Sequence, residues 1–384
     1  MGKRIPYSRQ CIDRIDISRV VTALHSEYLT TGPRVEEFEH AFAEAVGAEH
    51  AVAVSSGTAA LHASMAALGI GPGDEVIVPA MTFAATANCV VYQGGTPVFC
   101  DVEPDTLLID SADMVRKLTK RTRAVIAVDY AGQTCGYDEL ENFVDQENIA
   151  LVADACHSLG AEYYSRRVGT LANLTAFSFH PVKVMTTGEG GMVTADNRDY
   201  ANKMRAFRNH GIDADHRQRA EIGTWRYAAH TLGYNYRITD FQCALGMSQL
   251  PKVEGWVGRR REIAALYDEL LTNFDGVRPL NRAFGRGHAF HLYVVRIDPE
   301  ITPGRDAIFS RMRKAGIGVN VHYIPVHLHP YYMMNFGTRR GDCPMAEKAY
   351  DEILSLPIFP GMEDVDVADI VDDLRVASEQ GSDS

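Results

Sequence analysis

The alternation of short apolar runs with helical patterns constrains the fold of this chain more than any other feature. Between about residues 34 and 210, β-branched runs such as HAVAV, EVIVPA, RAVIAVDY and IALVADAC alternate with helical stretches such as TAALHASMAALG and YDELENFVDQ. Runs such as VIAV, which are apolar at every position, are typical of strands buried on both faces. The pattern therefore predicts an α/β fold, with helices on both faces of a mostly parallel sheet.

The later part of the chain follows a different pattern. The strand-like runs LTAFSF and GMVTAD follow each other without a long helix between them, which predicts a hairpin. A helical stretch then runs from about Thr239 towards Phe274, with Pro251 as a break. Beyond it, AFHLYVVRI and GVNVHYIP indicate a smaller α+β unit. We therefore expect a large domain at residues 1–250 and a small C-terminal domain at 251–384.

Composition narrows the class of protein. The formal net charge of -12 argues against nucleic acid and acidic membranes as main partners. The sequence has no run of about 18 apolar residues for a membrane span, and MGKRIPYSRQ lacks the apolar core of a signal peptide. We therefore expect a cytosolic protein. The cysteines are scattered without a CxxC pair, so neither a disulfide framework nor a zinc or iron–sulfur site is predicted.

Two motifs carry titratable groups in unusual surroundings. In AFSFHPVKVMTTGEGG, Lys183 lies between an apolar run and a loop of small residues. A lysine in a desolvated pocket can lose its proton and attack aldehydes. In LVADACH, Asp154 ends a hydrophobic strand, at the sheet edge where open α/β sheets bind ligands. It could hold a cation such as a protonated pyridine nitrogen, or cap a loop or pair with an arginine. His157 could face the same ligand or be an ordinary loop histidine.

A third motif, SSGTAALHASMAALG, opens a helix directly after a strand. A helix N-terminus binds phosphate through its free N–H groups and its dipole. Gly57 allows close approach of the backbone, and Ser56 and Thr58 offer hydroxyl donors. A plain N-cap is the simpler interpretation of this motif when it is taken alone.

The three motifs together are the parts of a pyridoxal phosphate site. The aldehyde would join Lys183, the ring nitrogen would meet Asp154, and the phosphate would meet Gly57 and Thr58. We therefore expect pyridoxal 5'-phosphate as the cofactor.

These motifs, with two others, occur in the order found in one enzyme family. SSGTAAL, DEVIVPAMTFAATAN, VADACHSLGA, FSFHPVKVMTTGEGGMV and LGYNYRITDFQCALGMSQL resemble the successive motifs of the DegT/DnrJ/EryC1/StrS family of sugar aminotransferases, from about Thr31 to Tyr323. The resemblance implies fold type I of the pyridoxal phosphate-dependent transferases, which is aspartate aminotransferase-like. It also implies a seven-stranded sheet, a smaller C-terminal α+β domain, and a homodimer whose active sites lie at the interface.

The resemblance also implies roles for individual residues. Lys183, Asp154 and His157 would be catalytic, with His157 beside the cofactor ring. Phe83 would stack on the ring, although an aromatic residue at a helix start is usually part of the core. Asn235 would reach the cofactor phosphate of the neighbouring subunit. The residues implied to bind the cofactor are Ser56, Gly57, Thr58, Phe83, Asp154, His157, Ser178, Lys183 and Asn235.

Two further segments border the nucleotide-sugar in this family. They are LTTGPRVEEFE, which contains Thr31, and VHY, which contains His322 and Tyr323. The histidines of VHYIPVHLHP could suggest a metal, but no carboxylate or cysteine lies at ligand spacing. We therefore expect no metal. We expect Thr31, His322 and Tyr323 to contact the substrate.

The implied activity is a ping-pong transfer of the amino group of glutamate to a nucleotide-linked keto-sugar. Within the family, VDYAGQ, FSFHPVK and GYNYRITDFQCALGMSQL are similar to the C4-aminotransferases of pseudaminic acid synthesis, which act on a UDP-linked 4-keto-6-deoxy-N-acetylhexosamine. Alternatives stay open: a 3-keto or a dTDP- or GDP-linked sugar, or a catalytically silent pyridoxal phosphate-binding regulator. A dehydratase of the same family would instead have histidine in place of Lys183, or an iron–sulfur cluster.

Overall fold

The computed structural model describes residues 4–212 and 214–379, and its strands form a large, a small and a two-stranded sheet. In chain order the strands are β1 (His50–Val54), β2 (Glu75–Pro79), β3 (Thr96–Cys100), β4 (Thr122–Val128), β5 (Ala150–Asp154), β6 (Glu162–Tyr163), β7 (Arg166–Arg167), β8 (Leu174–Ser178), β9 (Gly191–Ala195), β10 (Val277–Pro279), β11 (Tyr293–Ile297) and β12 (Ile353–Leu356).

The α-helices are distributed along the whole described chain. They are α1 (Arg14–Leu24), α2 (Pro33–Val46), α3 (Gly57–Leu68), α4 (Ala84–Tyr92), α5 (Ser111–Lys117), α6 (Tyr137–Glu147), α7 (Arg198–Phe207), α8 (His216–Glu221), α9 (Asp240–Gln249), α10 (Val253–Leu271), α11 (Arg305–Lys314), α12 (Pro330–Phe336), α13 (Pro344–Glu352) and α14 (Asp364–Ser378). None of these described helices is long and apolar enough to cross a membrane.

The large sheet has seven strands in the spatial order β1-β9-β8-β5-β4-β2-β3. Strand β9 pairs antiparallel with both of its neighbours, and the other pairs are parallel. The mostly parallel seven-stranded sheet predicted from the sequence is therefore confirmed. The hairpin predicted from LTAFSF and GMVTAD is confirmed as β8 and β9, and Lys183 lies in the connection between them.

The helical stretch after Thr239 is interrupted, as its proline indicated. Helix α9 begins with a capping box between Thr239 and Gln242, and it ends at Gln249. A 3-10 turn at Leu250–Lys252 contains Pro251, and α10 follows. Because proline has no N–H group to continue the hydrogen-bond pattern, the break falls at this residue.

Two apolar clusters form the core. The larger one surrounds the seven-stranded sheet and contains a group of aromatic rings in which Phe42 and Phe177 pack edge to face. The smaller one lies under the sheet of β10, β11 and β12, packed against α10, α11 and α14. The larger cluster also includes Val257 and Ile353, so apolar packing crosses the predicted domain boundary at residue 250. That boundary stays a prediction.

Candidate active site

A cavity of about 460 Å³ lies where the carboxyl ends of several parallel strands of the large sheet meet. Val128 ends β4, Asp154 ends β5 and Ser178 ends β8, and all three line the cavity. This edge is the one at which open α/β sheets bind ligands. The sequence-predicted residues that line the cavity are Ser56, Gly57, Thr58, Phe83, Asp154, His157, Ser178, Lys183, His322 and Tyr323.

Lys183 is held in a tight turn after β8. Its backbone N–H donates to the carbonyl of His180 at 2.9 Å, and the next two side chains, Val184 and Met185, are buried. Burial lowers the pKa of the Lys183 amine below its ordinary value, against the opposing effect of Cys156 and Asp154. The neutral, nucleophilic form of the amine is therefore favoured relative to a solvated lysine.

Asp154 is fixed by hydrogen bonds and is 6% exposed. One carboxylate oxygen accepts from the hydroxyl of Thr86 at 2.7 Å, and the other accepts from the backbone N–H of Cys156 at 3.2 Å. The Thr86 hydroxyl in turn lies 2.7 Å from that of Thr82. No arginine lies among the described residues that line the cavity. The bond from Cys156 is the loop cap that was one alternative for Asp154, while the arginine pair, the other alternative, is absent from the described residues. The carboxylate also borders the cavity, where it is placed to receive a cation from a ligand.

The start of α3 approaches β8 closely. A β-carbon on Gly57 would lie 2.8 Å from Cβ of Ser178 and 3.1 Å from Sγ of Cys156, so only glycine permits this contact. The Ser56 hydroxyl accepts from the N–H of Ala59 at 3.1 Å and caps the helix. The first N–H groups of a helix have no intrahelical acceptor. Together with the side chains of Ser178 and Thr58, they suit an anion such as phosphate.

His157 belongs to a buried pair of histidines that sequence reasoning did not find. Its ring centroid lies 4.3 Å from that of His291, and its Nε2 lies 3.1 Å from the hydroxyl of Tyr323. Burial holds the pKa of both imidazoles well below the usual range, and the positive charge of Lys183 lowers both further. Both rings are therefore neutral at physiological pH. The signal that could have pointed to His291 is a polar residue at the start of the apolar strand run HLYVVRI.

Phe83 and His322 form further parts of the wall. Phe83 is 60% exposed, with its ring centroid 5.9 Å from that of Tyr323, so the core interpretation of this aromatic is wrong. His322 is buried, and its Nδ1 lies 2.9 Å from the hydroxyl of Ser355. Burial, with a smaller contribution from Lys183, lowers the pKa of His322 to about 4. This wall therefore presents rings and neutral polar groups to the cavity.

Two predicted residues do not line this cavity in their own chain. Thr31 borders a separate cavity of about 310 Å³, together with several arginines that include Arg205 and Arg237. Asn235 is exposed, and its backbone pairs with Asn209. The roles of Thr31 and Asn235 stay predictions.

One of the histidines after Tyr323 has a carboxylate partner. His327 is buried and lies 2.9 Å from the carboxylate of Glu347. Among the residues that the structure describes, no group of three or more His, Cys, Asp or Glu side chains is placed to hold a metal ion.

Comparison with known proteins assigns the family. The model of the DegT/DnrJ/EryC1/StrS aminotransferase family matches residues 10–375. Spore coat polysaccharide biosynthesis protein SpsC of Bacillus subtilis is 40% identical over 376 residues, which are 97% of this chain and 96% of SpsC.

Solved structures match over nearly the whole chain. Spr1654 from Streptococcus pneumoniae, in its PMP form, superposes with a TM-score of 0.92 at 32% identity, covering 98% of this chain and 99% of that one. PseC of Helicobacter pylori, an aminotransferase involved in the biosynthesis of pseudoaminic acid, superposes with a TM-score of 0.92 at 30% identity, covering 99% and 100%. The chain thus belongs to the DegT/DnrJ/EryC1/StrS aminotransferase family and is a sugar aminotransferase whose cofactor is pyridoxal phosphate.

Proposed function

We propose that the chain transfers the amino group of glutamate to C4 of a UDP-linked 4-keto-6-deoxy-N-acetylhexosamine, and that it does so as a cytosolic homodimer. One observation carries the chemistry: the Lys183 amine, the Asp154 carboxylate and the start of α3 border a single cavity. The likeness to PseC supports the choice of sugar.

The cavity fits pyridoxal phosphate at both ends. Asp154, which pairs with no arginine among the described residues, would hold the protonated ring nitrogen, while the N–H groups at the start of α3 and the Ser178 hydroxyl would hold the phosphate. Phe83 is exposed to the cavity and would cover the ring. When bound, the cofactor supplies an aldehyde for a lysine and a ring that withdraws electrons from the substrate.

Lys183 would serve as the acid and base of the reaction. Its burial lowers the pKa of the amine, so that a neutral amine is available to take a proton from the carbon that carries the amino group of the donor. Once protonated, the same amine can donate a proton to the carbon that receives the amino group in the second half-reaction. The Asp154 carboxylate would lie opposite the cationic nitrogen of the ligand and attract it by charge.

The rest of the wall suits a sugar. Asn320, His322 and Tyr323 offer an amide, an imidazole and a phenol, and none of these groups carries a charge at neutral pH. Neutral donors and acceptors match the hydroxyl and carbonyl groups of a sugar ring. A carboxylate-rich acceptor would instead require cations in this position.

A different nucleotide-linked keto-sugar is the second candidate. SpsC is named for spore coat polysaccharide biosynthesis and shares 40% identity with this chain, which leaves room for a 3-keto sugar or a dTDP- or GDP-linked sugar. A silent pyridoxal phosphate-binding regulator is disfavoured, because such a protein would need neither Lys183 nor Asp154 in this arrangement.

The test is a panel of nucleotide-linked keto-sugars, each incubated with glutamate, the cofactor and the protein, with products analysed by mass spectrometry and NMR. We expect amination at C4 of the UDP-linked 4-keto sugar to be the most efficient reaction. Preference for a 3-keto or a dTDP- or GDP-linked sugar would support the second candidate. A protein that binds cofactor but converts no sugar and does not react with glutamate would be the regulator.

A further inference from the structure

An N-terminal segment that the mechanism above does not use is bound firmly to the C-terminal part of the chain. We call residues 5–8 the N-terminal strap. The backbone N–H of Ile5 donates to the carbonyl of Gly316 at 3.1 Å, and the N–H of Gly318 donates to the carbonyl of Ile5 at 2.7 Å. The N–H of Ile358 donates to the carbonyl of Tyr7 at 3.1 Å. These bonds fix the path of the strap on both sides of Tyr7.

Gly318 shows how closely the strap is packed. A β-carbon on Gly318 would lie 2.5 Å from the backbone nitrogen of Tyr7 and 2.8 Å from the backbone carbon of Pro6. Ile5 is 4% exposed and belongs to the smaller apolar cluster. The position of the strap therefore depends on a glycine in the underlying segment.

The strap also contacts the segment that carries the reactive lysine. The Ser8 hydroxyl donates to the carbonyl of Val182 at 3.2 Å, directly before Lys183. Hydrogen bonds thus connect the N-terminal strap to the turn that carries Lys183 and to the C-terminal part of the chain, around one side of the cavity.

Tyr7 is the strap residue that reaches the cavity. Its side chain lines the cavity, its ring centroid lies 5.8 Å from that of His322, and the residue is partly exposed, so it lies where the cavity opens to solvent. Its hydroxyl forms no hydrogen bond to a residue in the described part of the chain. Burial raises the pKa of Tyr7, so the phenol stays protonated and can donate.

We propose that Tyr7 is a specificity-determining residue that donates a hydrogen bond to the nucleotide-sugar, and that the N-terminal strap holds it in place. The inference rests on the proposed function. The ends of the cavity that suit a phosphate and a cationic nitrogen are formed by other residues, so Tyr7 faces the region left for the larger substrate. The small donor, glutamate, does not need this contact.

The first experiment compares Tyr7→Phe with Tyr164→Phe, a matched change at an exposed tyrosine outside the cavity. Loss of one hydrogen bond should weaken binding of UDP-N-acetylglucosamine, measured by calorimetry, by about 2- to 10-fold, and should raise KM for the keto-sugar by a similar factor. The rate of the glutamate half-reaction, followed by cofactor absorbance, should match the wild type. Tyr164→Phe should change none of these quantities.

The outcomes separate the two claims. Unchanged binding of UDP-N-acetylglucosamine by Tyr7→Phe, or a glutamate half-reaction that slows as much as the sugar half-reaction, overturns the role of Tyr7. A wild-type protein that converts no keto-sugar overturns the proposed function, while the calorimetric comparison still decides whether Tyr7 contacts a nucleotide-sugar.

A second experiment tests the strap by hydrogen exchange, with no need for activity. Gly318→Ala should displace the strap and speed exchange at the amides of Ile5 and Ile358, and it should weaken binding of UDP-N-acetylglucosamine as Tyr7→Phe does. The control is Gly71→Ala, because a β-carbon there meets nothing within 4 Å. If the amide exchange rates and the binding affinity of Gly318→Ala equal those of the control, the strap does not hold Tyr7 in place and this part of the proposal is overturned.

Discussion

Asp154 illustrates how a single residue acquires its chemistry from its surroundings. It is buried at the end of β5 and accepts hydrogen bonds from Thr86 and from the backbone of Cys156. An amide in its place could accept from the N–H of Cys156 through its oxygen and donate from its NH2 group to the Thr86 hydroxyl, but it would carry no charge to hold a protonated ring nitrogen. We therefore expect the carboxylate to matter for catalysis more than for the fold.

We predict that Asp154→Asn keeps its fold and loses most of its activity. Loss of a charge pair worth roughly 3–4 kcal/mol should slow the glutamate half-reaction by about 10² to 10³-fold. Stopped-flow absorbance in a single turnover measures this rate, and thermal unfolding checks the fold. A near-normal rate would mean that Asp154 is structural and that another group holds the ring nitrogen.

Sequence reasoning found the residues of the site that belong to recognisable motifs. Lys183 and Asp154 were visible because a lysine in apolar company and an acid at a strand end are unusual. Tyr7, Thr86 and His291 were not, because each is an ordinary residue in its own segment and gains meaning only when distant parts of the chain meet. Their placement depends on tertiary packing, which one sequence does not display.

Among the elements, helix α3 and strand β8 form the end of the cavity where we propose that the cofactor phosphate binds. Their separation is set by Gly57, whose hydrogen atom faces Ser178 and Cys156 at a distance that no β-carbon could occupy without displacement. The βα alternation and the hairpin were predictable, because strands buried on both faces need continuous apolar runs. This close contact was not, because a glycine at a helix start is compatible with a simple N-cap.

We predict that Gly57→Ala weakens cofactor binding. Overpacking of about 1–3 kcal/mol should move the start of α3 away from β8 and raise the Kd for pyridoxal phosphate about 5- to 150-fold, as measured by fluorescence titration. Gly71→Ala, where the added carbon meets open space, is the control. Equal affinities in the two variants would show that the helix start does not hold the phosphate.

A histidine in α3 should make stability depend on pH. His62 is 1% exposed, and its ring nitrogens lie 3.0 Å from the Tyr236 hydroxyl and 2.8 Å from the Gln93 amide. Burial lowers the pKa of His62 to about 4. The unfolded chain, with an ordinary histidine pKa near 6.5, therefore binds more protons than the folded one between these values, and stability falls as the pH drops from about 6.5 to about 4.

The shift of the His62 pKa from about 6.5 to about 4 corresponds to a loss of about 3 kcal/mol of stability over this range. Urea unfolding at several pH values should show this loss, and His62→Gln should show a smaller one over the same range. An unchanged pH dependence in the variant would contradict the assignment.

At the scale of the whole molecule, the chain leaves part of its expected site outside its own cavity. Asn235 is exposed, and the nearby segment exposes the large apolar side chains of Ile222, Trp225 and Leu232. Exposed apolar surface of this kind suits contact with another protein. A second copy of the chain that covers this segment would bring Asn235 towards the cofactor phosphate of its partner, as we propose for the homodimer.

Mixing two inactive variants tests this shared site. We predict that Lys183→Ala and Asn235→Ala, each inactive alone, regain activity when their subunits are exchanged, because one of the two sites in each heterodimer then has both wild-type residues. If Asn235 merely closes its own turn, both residues of each site come from one chain and no activity returns. Subunit exchange is verified separately by mass spectrometry.

The central claim is that Lys183 enables transfer of the glutamate amino group to a keto-sugar. Its most direct test follows ¹⁵N from labelled glutamate into the sugar product by mass spectrometry, in the wild type, in Lys183→Ala and in Lys203→Ala, a lysine outside the cavity. We predict labelled amino-sugar from the wild type and Lys203→Ala, and none from Lys183→Ala, although that variant still binds the cofactor. Labelled product from Lys183→Ala at the wild-type rate would contradict it.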